Sequence, residues 1–161
     1  MRDPAVVTAM RGSQLAAELT ESQLETLSES VVLRTLAAGE TLVAEGASDN
    51  HLYVLVDGTL AIVRGAGTAQ PVTLFTIAPG DFVGELSFID ATPHYAAVVA
   101  VGPARVFGLE REKLEALLAA HPQIVYRVMR AIVRTVHQIQ RRLSMQSTEL
   151  TNYIYKQHGR Y

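Results

Sequence analysis

Residues 79–90 read PGDFVGELSFID, and this stretch decides how the rest of the chain is interpreted. Glycine lets a backbone approach a ligand closely. A short helical turn that begins near Gly84 would present free backbone N–H groups, which favour an anion. The Glu85 carboxylate can accept a hydrogen bond from a hydroxyl group. Taken alone, however, Gly84 and Glu85 are better explained as a turn glycine and a capping acid, so the surrounding sequence must decide.

The composition is that of one globular domain. A chain of 161 residues with 48% hydrophobic residues can bury a proper core. A net charge of −2 gives no general attraction for nucleic acid or anionic lipid. No apolar stretch reaches the roughly 18 residues of a membrane span, and the first residues make a poor signal peptide. The chain has no cysteine, which excludes disulfides and thiolate metal sites and suits a cytoplasmic protein.

The sequence pattern in the middle of the chain differs from the patterns before and after it. Residues 13–29 predict a helical region, with a capping box that begins at Thr20. Residues 31–109 consist of short segments rich in valine, leucine and threonine, separated by glycines about every ten residues. This punctuation favours an antiparallel sandwich or barrel. Asp57 and Gly58 predict a two-residue hairpin turn between the segments 51–56 and 59–64.

The last part of the chain is predicted to be helical again. Residues 110–120 form one candidate helix, and Pro122 can start the next. Residues 122–143 carry a heptad pattern that predicts a long dimerisation helix in a homodimer. The alternative is a helix that lies on its own sandwich. Residues 144–161 form a tail that extends the helix, packs back or docks a partner. The predicted dimer interface consists of Val125, Met129, Ile132, Val136, Ile139 and Leu143.

This order of elements resembles the cyclic-nucleotide-binding domain found in catabolite-activator-like regulators, protein kinase A regulatory subunits and nucleotide-gated channels. The resemblance covers about residues 13–143, and any one of its motifs is weak without the others. It implies a mainly β fold, a double-stranded β-helix or jelly roll with N-terminal helices and a long C-terminal helix. It rests on four stretches in order, which are LAAGE at 36–40, EG at 45–46, LYVLVDGTL at 52–60 and PGD through GEL at 79–86.

The resemblance also implies a nucleotide pocket. Glu85 would contact the ribose, and the turn at residues 84–88 would contact the phosphate. The family's phosphate-binding arginine is absent, because its place falls at Tyr95 and the neighbouring hydroxyl residue is Ala96. His94 is either an exposed loop histidine or a substitute cation, and Gln140 either contacts the base or is solvated. The candidate ligand-binding residues are Gly84, Glu85, Leu86, Ser87, Phe88, His94, Tyr95, Ala96, Ala97, Ile139 and Gln140.

Other chemistries are disfavoured. The five histidines are scattered, without the closely spaced pair that a metal-binding cupin needs, so we expect no metal, no cofactor and no enzyme activity. The arginines on the last helix are better explained as a solvated face than as a nucleic-acid contact. Only 18 residues follow Leu143, too few for the helix-turn-helix domain of the catabolite-activator-like regulators.

Three functions therefore remain open. The first is a cytoplasmic regulatory or sensor domain that binds cyclic AMP or cyclic GMP weakly. The second is a dimeric interaction scaffold that binds an unidentified protein partner and has no ligand. The third is a sensor of a different small ligand in the altered pocket.

Overall fold

The computed structural model describes residues 2–158, with side chains up to residue 156. The described residues are mainly β-sheet with flanking helices, as predicted. In chain order the elements are α1 (Pro4–Arg11), a 3₁₀ turn (Ala16–Glu18), α2 (Glu21–Ser28), β1 (Val31–Leu36), β2 (Thr41–Val43), β3 (His51–Asp57), β4 (Leu60–Arg64), β5 (Val72–Ile77), β6 (Phe82–Val83), α3 (Glu85–Asp90), β7 (Ala97–Ala100), β8 (Ala104–Glu110), α4 (Arg111–Glu115) and α5 (Pro122–His158).

The strands form two antiparallel four-stranded sheets. One has the order β1-β8-β3-β6, and the other has the order β2-β7-β4-β5. The predicted hairpin at Asp57 and Gly58 is wrong, because β3 and β4 belong to different sheets and do not pair. The chain instead turns a sharp corner between the sheets. Gly58 has a φ of +89°, and a Cβ there would lie 2.6 Å from the carbonyl oxygen of Pro103. The backbone conformation and the close approach of Pro103 both require a glycine here, although the turn is not a hairpin.

The N-terminal region is divided into more helical segments than the sequence pattern predicts. The capping box is present, because the Thr20 side chain accepts from the Gln23 backbone and the Gln23 side chain accepts from the Thr20 backbone. This cap starts α2 and separates it from the 3₁₀ turn. Helix α1 lies before the predicted domain boundary at residue 13, yet its Val6, Val7 and Met10 are buried in the core. The folded unit therefore begins earlier than predicted.

Two hydrophobic clusters hold the domain together. One lies between the two sheets and contains Leu36, Leu55, Leu60 and Val106. The other joins the helices to the first sheet, and its fully buried members include Met10, Leu27, Phe88, Phe107, Val128 and Ile132. The second cluster fixes both α3 and the start of α5 on the same side of the domain.

Helix α5 has two parts with different surroundings. Its first part packs on the domain through Ile124, Val128, Ala131 and Ile132. Ile132, which is among the residues predicted to form the dimer interface, is 1% exposed and belongs to the core of its own domain. Val125 and Met129 are also partly buried against the same cluster. The reason is that the apolar face of this segment is wider than a heptad stripe, so it covers the helix's own domain.

The second part of α5 begins near Val136 and extends the helix through the predicted tail as far as His158. Arg160 and Tyr161 of that tail lie outside the described residues. Among the exposed apolar side chains on this part are Val136, Ile139, Leu143 and Leu150. No helix in the part of the chain that the structure describes has the length and hydropathy of a membrane span.

Glu18 ties the first part of α5 to the N-terminal region. Its side chain is only 10% exposed and forms ion pairs with Arg130 and Arg134. Its backbone carbonyl accepts a hydrogen bond from Arg127 at 3.1 Å. Three arginines of the basic stripe on α5 are thus engaged within the chain.

Candidate functional site

A partly open cavity lies between the second sheet, β6 of the first sheet, α3, the loop before β7 and α5. Its volume is about 100 Å³. The lining residues are Ile62, Phe75, Ile77, Phe82, Val83, Gly84, Glu85, Leu86, Ser87, Thr92, Pro93, His94, Tyr95, Ala96, Val98 and Ile139. Eight of these are among the candidate residues named from the sequence.

The remaining candidates lie elsewhere. Phe88 and Ala97 are buried next to the cavity, in the core and in β7, and neither lines it. Gln140 is exposed on α5 and is also outside the lining. Both interpretations of Gln140, as a base contact and as a solvated helix residue, stay predictions.

Gly84 sets the direction in which α3 leaves the sheet. It is the N-cap of α3, with a φ of +85°. A Cβ there would lie 3.1 Å from the carbonyl oxygen of His51 and 3.4 Å from Cε1 of His94. Glycine is thus required both by the left-handed conformation and by the close approach of two neighbouring segments. The backbone N–H of Phe88 donates to the Gly84 carbonyl at 3.0 Å and closes the first helical turn.

The Glu85 carboxyl group is the only side chain in the lining, within the described residues, that is negatively charged in its ordinary state. Burial raises its pKa, and a hydrogen bond from its own backbone N–H partly opposes that rise. No lysine or arginine occurs among the lining residues of the described chain. The cavity therefore offers a hydrogen-bond acceptor but no permanent cation.

His94 lies deeper than the exposed loop position expected for it. Its backbone N–H donates to Ala47 at 2.9 Å, and its carbonyl accepts from Gly46 at 2.7 Å. Nε2 is buried and has no hydrogen-bond partner among the described residues. Burial lowers the pKa of His94, and the nearby Asp49 only partly opposes this. The upward titration needed for a substitute cation is thus opposite to the direction that the surroundings favour.

Tyr95 and Ala96 occupy the positions where the resemblance implies an arginine and a hydroxyl residue. Tyr95 is 55% exposed at the cavity, whereas Ala96 is buried. Partial burial raises the pKa of the Tyr95 phenol, and the Glu85 charge raises it further. The phenol is therefore a neutral hydrogen-bonding group at the rim.

A hydrogen-bonded network joins α3 to residues 49–53. The Ser87 hydroxyl accepts from the Asp49 backbone N–H at 2.7 Å. The Asp49 carboxylate contacts Nδ1 of His51 and accepts from the Tyr53 hydroxyl, each at 2.8 Å. Burial, and then the Asp49 contact, raise the pKa of Tyr53. Ser87 thus links the cavity wall to Asp49, which lies just before β3 and contacts two of its side chains.

Sequence reasoning did not identify the apolar wall of the cavity. Ile62, Phe75, Ile77 and Val98 come from β4, β5 and β7, and Phe82 comes from β6. Strand alternation predicts which residues share a face of a sheet. The side of the sheet that carries the cavity becomes known only when α3 and α5 are placed on it.

Comparisons with known proteins agree with this architecture. The sequence model of the cyclic nucleotide-binding domain matches residues 33–121. The chain is 27% identical over 106 residues to a CRP-like cAMP-activated global transcriptional regulator of Mycobacterium tuberculosis, covering 66% of this chain and 47% of that protein. The chain thus spans about half the length of this curated relative.

Two solved structures are also similar. The N-terminal domain of a transcriptional regulator from Streptomyces coelicolor has a TM-score of 0.70 at 27% identity, with 84% of this chain and 94% of that chain covered. A cyclic nucleotide-binding domain from Methylobacillus flagellatus has a TM-score of 0.74 at 20% identity, with coverages of 85% and 77%. The chain belongs to the cyclic nucleotide-binding domain family.

Proposed function

We propose that this chain is a non-enzymatic regulatory domain in which the occupancy of the cavity controls the long helix α5. One observation carries the proposal, which is that Ile139 of α5 lines the same cavity as Glu85. Ile139 lies just beyond the packed first part of the helix, where the exposed second part begins. A ligand against Ile139 would therefore act on the part of α5 that is least constrained by the core.

In the first candidate function, the ligand is a cyclic nucleotide, which binds weakly and places its ribose at Glu85. A charge-assisted hydrogen bond contributes about 1.5–3 kcal/mol. Because about 1.4 kcal/mol changes an affinity tenfold, Tyr95 in place of a cation weakens phosphate binding by roughly ten- to a hundredfold. Cyclic AMP and cyclic GMP remain the natural ligands to test because the chain belongs to this family.

The assembly that we propose is a parallel homodimer through the second part of α5. Val136, Ile139, Leu143 and Leu150 are exposed and recur on one side of the helix. Such a stripe is typical of a helix that packs on a partner helix. Ile139 would then line the cavity and also lie in the dimer interface. A ligand in the cavity could thus act directly on the contact between the two protomers.

A dimeric scaffold without a ligand is the second candidate function. The lack of a cation in the described lining favours it, because the fold and the helix would be kept while the nucleotide site is lost. In that case the exposed surface of α5 would serve a protein partner. For both candidates we propose a cytoplasmic location, which the absence of cysteine supports.

Amide chemical shifts measured during a titration with cyclic AMP test the proposed coupling. We expect millimolar nucleotide to shift the amides of Gly84 and Glu85 together with those of residues 136–143. Ile139→Ala should keep the shifts at the cavity and reduce those along α5. Shifts at the cavity with an unresponsive wild-type α5 would contradict the coupling, and no shift at either place would favour the scaffold.

A further inference from the structure

The chemistry of the cavity restricts its ligand more narrowly than membership of the family does. The following inference rests on the proposed function, since it concerns the ligand of the same site. Most of the wall is apolar, with Ile62, Phe75, Phe82, Val98 and Ile139 contributed by four strands and α5. A wall of this kind gains free energy when it covers apolar surface of a ligand.

The polar side of the cavity disfavours an anion. Glu85 is its ionisable acid, and no basic residue of the described lining is available to compensate a second negative charge. His94 adds no compensation because its surroundings favour the neutral ring.

The same group favours a ligand that donates a hydrogen bond. A carboxylate accepts hydrogen bonds and does not donate them. Among the described residues, Glu85 has no ion-pair partner. A ligand hydroxyl or amine would therefore satisfy an acceptor that the chain leaves available.

The size of the cavity also restricts the ligand, because it favours a small molecule. Its volume of about 100 Å³ is below the roughly 300–1,000 Å³ of pockets that bury drug-sized ligands. An engineered apolar cavity of about 150 Å³ in another protein binds benzene. The cavity is open on one side, so a ring can enter it while a substituent stays near the rim beside Tyr95.

We propose that this cavity selects an uncharged, mainly apolar ligand of about one ring, which carries a hydroxyl or aromatic amine donor for Glu85, and that it discriminates against anions. The anionic phosphate of a cyclic nucleotide is then the part of that ligand that fits least. Tyr95 contributes to the selection by leaving the rim neutral.

A matched pair of probes tests the selection. Benzyl alcohol and benzoate have similar size, but the first is a neutral donor and the second an anion. Both would be titrated into the intact 161-residue chain, and backbone amide shifts would report affinity and place of binding. We expect benzyl alcohol to shift amides of residues 84–87 and 94–96 in a saturable way, with benzoate at least about tenfold weaker.

Two variants and a control locate the cause of the selection. Tyr95→Arg should strengthen benzoate binding about tenfold or more and leave benzyl alcohol nearly unchanged. Glu85→Gln should also strengthen benzoate, because it removes the negative charge but keeps the shape. Tyr126→Arg makes the same change of charge at an exposed position of α5 that does not line the cavity, and it should leave both affinities as in the wild type.

The outcomes separate this inference from the proposed function. Benzoate or cyclic AMP binding the wild type as tightly as benzyl alcohol overturns the inference, even where α5 responds as proposed. Binding of neither probe overturns it as well. Preferential binding of benzyl alcohol with no shift along residues 136–143 supports the inference and contradicts the coupling to α5.

Discussion

Ile139 and Glu85 lie on helices that are far apart in the chain, and both line one cavity. Glu85 is fixed at the start of α3, whereas Ile139 stands on α5 shortly after the last residue of that helix that is buried in the core cluster, Ile132. The acid of the site therefore stands on a helix that is packed in the core through Phe88, and the apolar wall includes a side chain from the part of α5 beyond its buried segment.

The first prediction concerns assembly. Leu143→Glu places a charge in the exposed stripe of α5 and should convert a dimer to a monomer in light scattering, because an unpaired charge is costly in a helix–helix interface. Thr148→Glu adds the same charge outside the stripe and should leave the mass unchanged. Ile132→Glu is unsuitable for this purpose because Ile132 is in the core, where the substitution would unfold the domain. A monomeric wild type at high concentration would contradict the dimer.

The second prediction concerns the ion pairs that hold α5. Glu18→Gln should lower the free energy of unfolding by about 1 kcal/mol, since it removes a mostly buried carboxylate that pairs with Arg130 and Arg134. Glu25→Gln removes one exposed partner of Arg2 and should change stability by less than about 0.5 kcal/mol. Urea unfolding measures both variants. Equal effects would show that Glu18 is no more important than a surface pair.

The third prediction concerns stability in acid. The pKa of His94 is lowered by burial from its ordinary value of 6.5, so the unfolded chain binds a proton at a higher pH than the folded chain. The stabilisation from neutral His94 is complete above pH 6.5 and is lost as the pH falls through the folded pKa. His94→Gln should reduce the loss of stability between pH 7.5 and 5.5. His137→Gln, on the exposed face of α5, is the control and should retain the wild-type loss.

The fourth prediction has the opposite sign. Burial raises the pKa of Glu85 above its ordinary value of 4.5, so the folded chain holds this proton to a higher pH than the unfolded chain. Stability is then fullest below pH 4.5 and falls as the pH rises through the folded pKa. Glu85→Gln should therefore stabilise the domain at neutral pH, and the gain should shrink as the solution is acidified. Unfolding curves at pH 7 and pH 4 measure the difference, and an equal gain at both would contradict it.

The fold could be predicted from sequence because its signals are local. The capping box at Thr20, the strand segments between glycines and the GEL motif at residues 84–86 each depend on nearby residues. The corner at Gly58 could not be predicted in this way. A two-residue turn with glycine looks the same in the sequence whether the next strand pairs with the previous one or crosses to another sheet. Only the strand pairing of the folded chain distinguishes the two.

The candidate site could be predicted in part for the same reason. Residues near Gly84 and Tyr95 are close in sequence to the motif, whereas Phe75 and Ile62 reach the cavity only through the pairing of β4 with β5. The heptad pattern on α5 could not show where the domain surface ends. Ile132 lies before that end and Ile139 lies beyond it.

Calorimetric titration with cyclic AMP and cyclic GMP tests the central claim most directly, because that claim is that a family-like pocket binds nucleotide weakly for lack of a cation. We predict weak binding by the wild type and a gain of about 1.5–3 kcal/mol when Tyr95→Arg and Ala96→Ser are combined. Tyr126→Arg should give no gain, and Glu85→Ala added to the double variant should remove part of it. Tight binding by the wild type, or no gain in a folded double variant, would contradict the account.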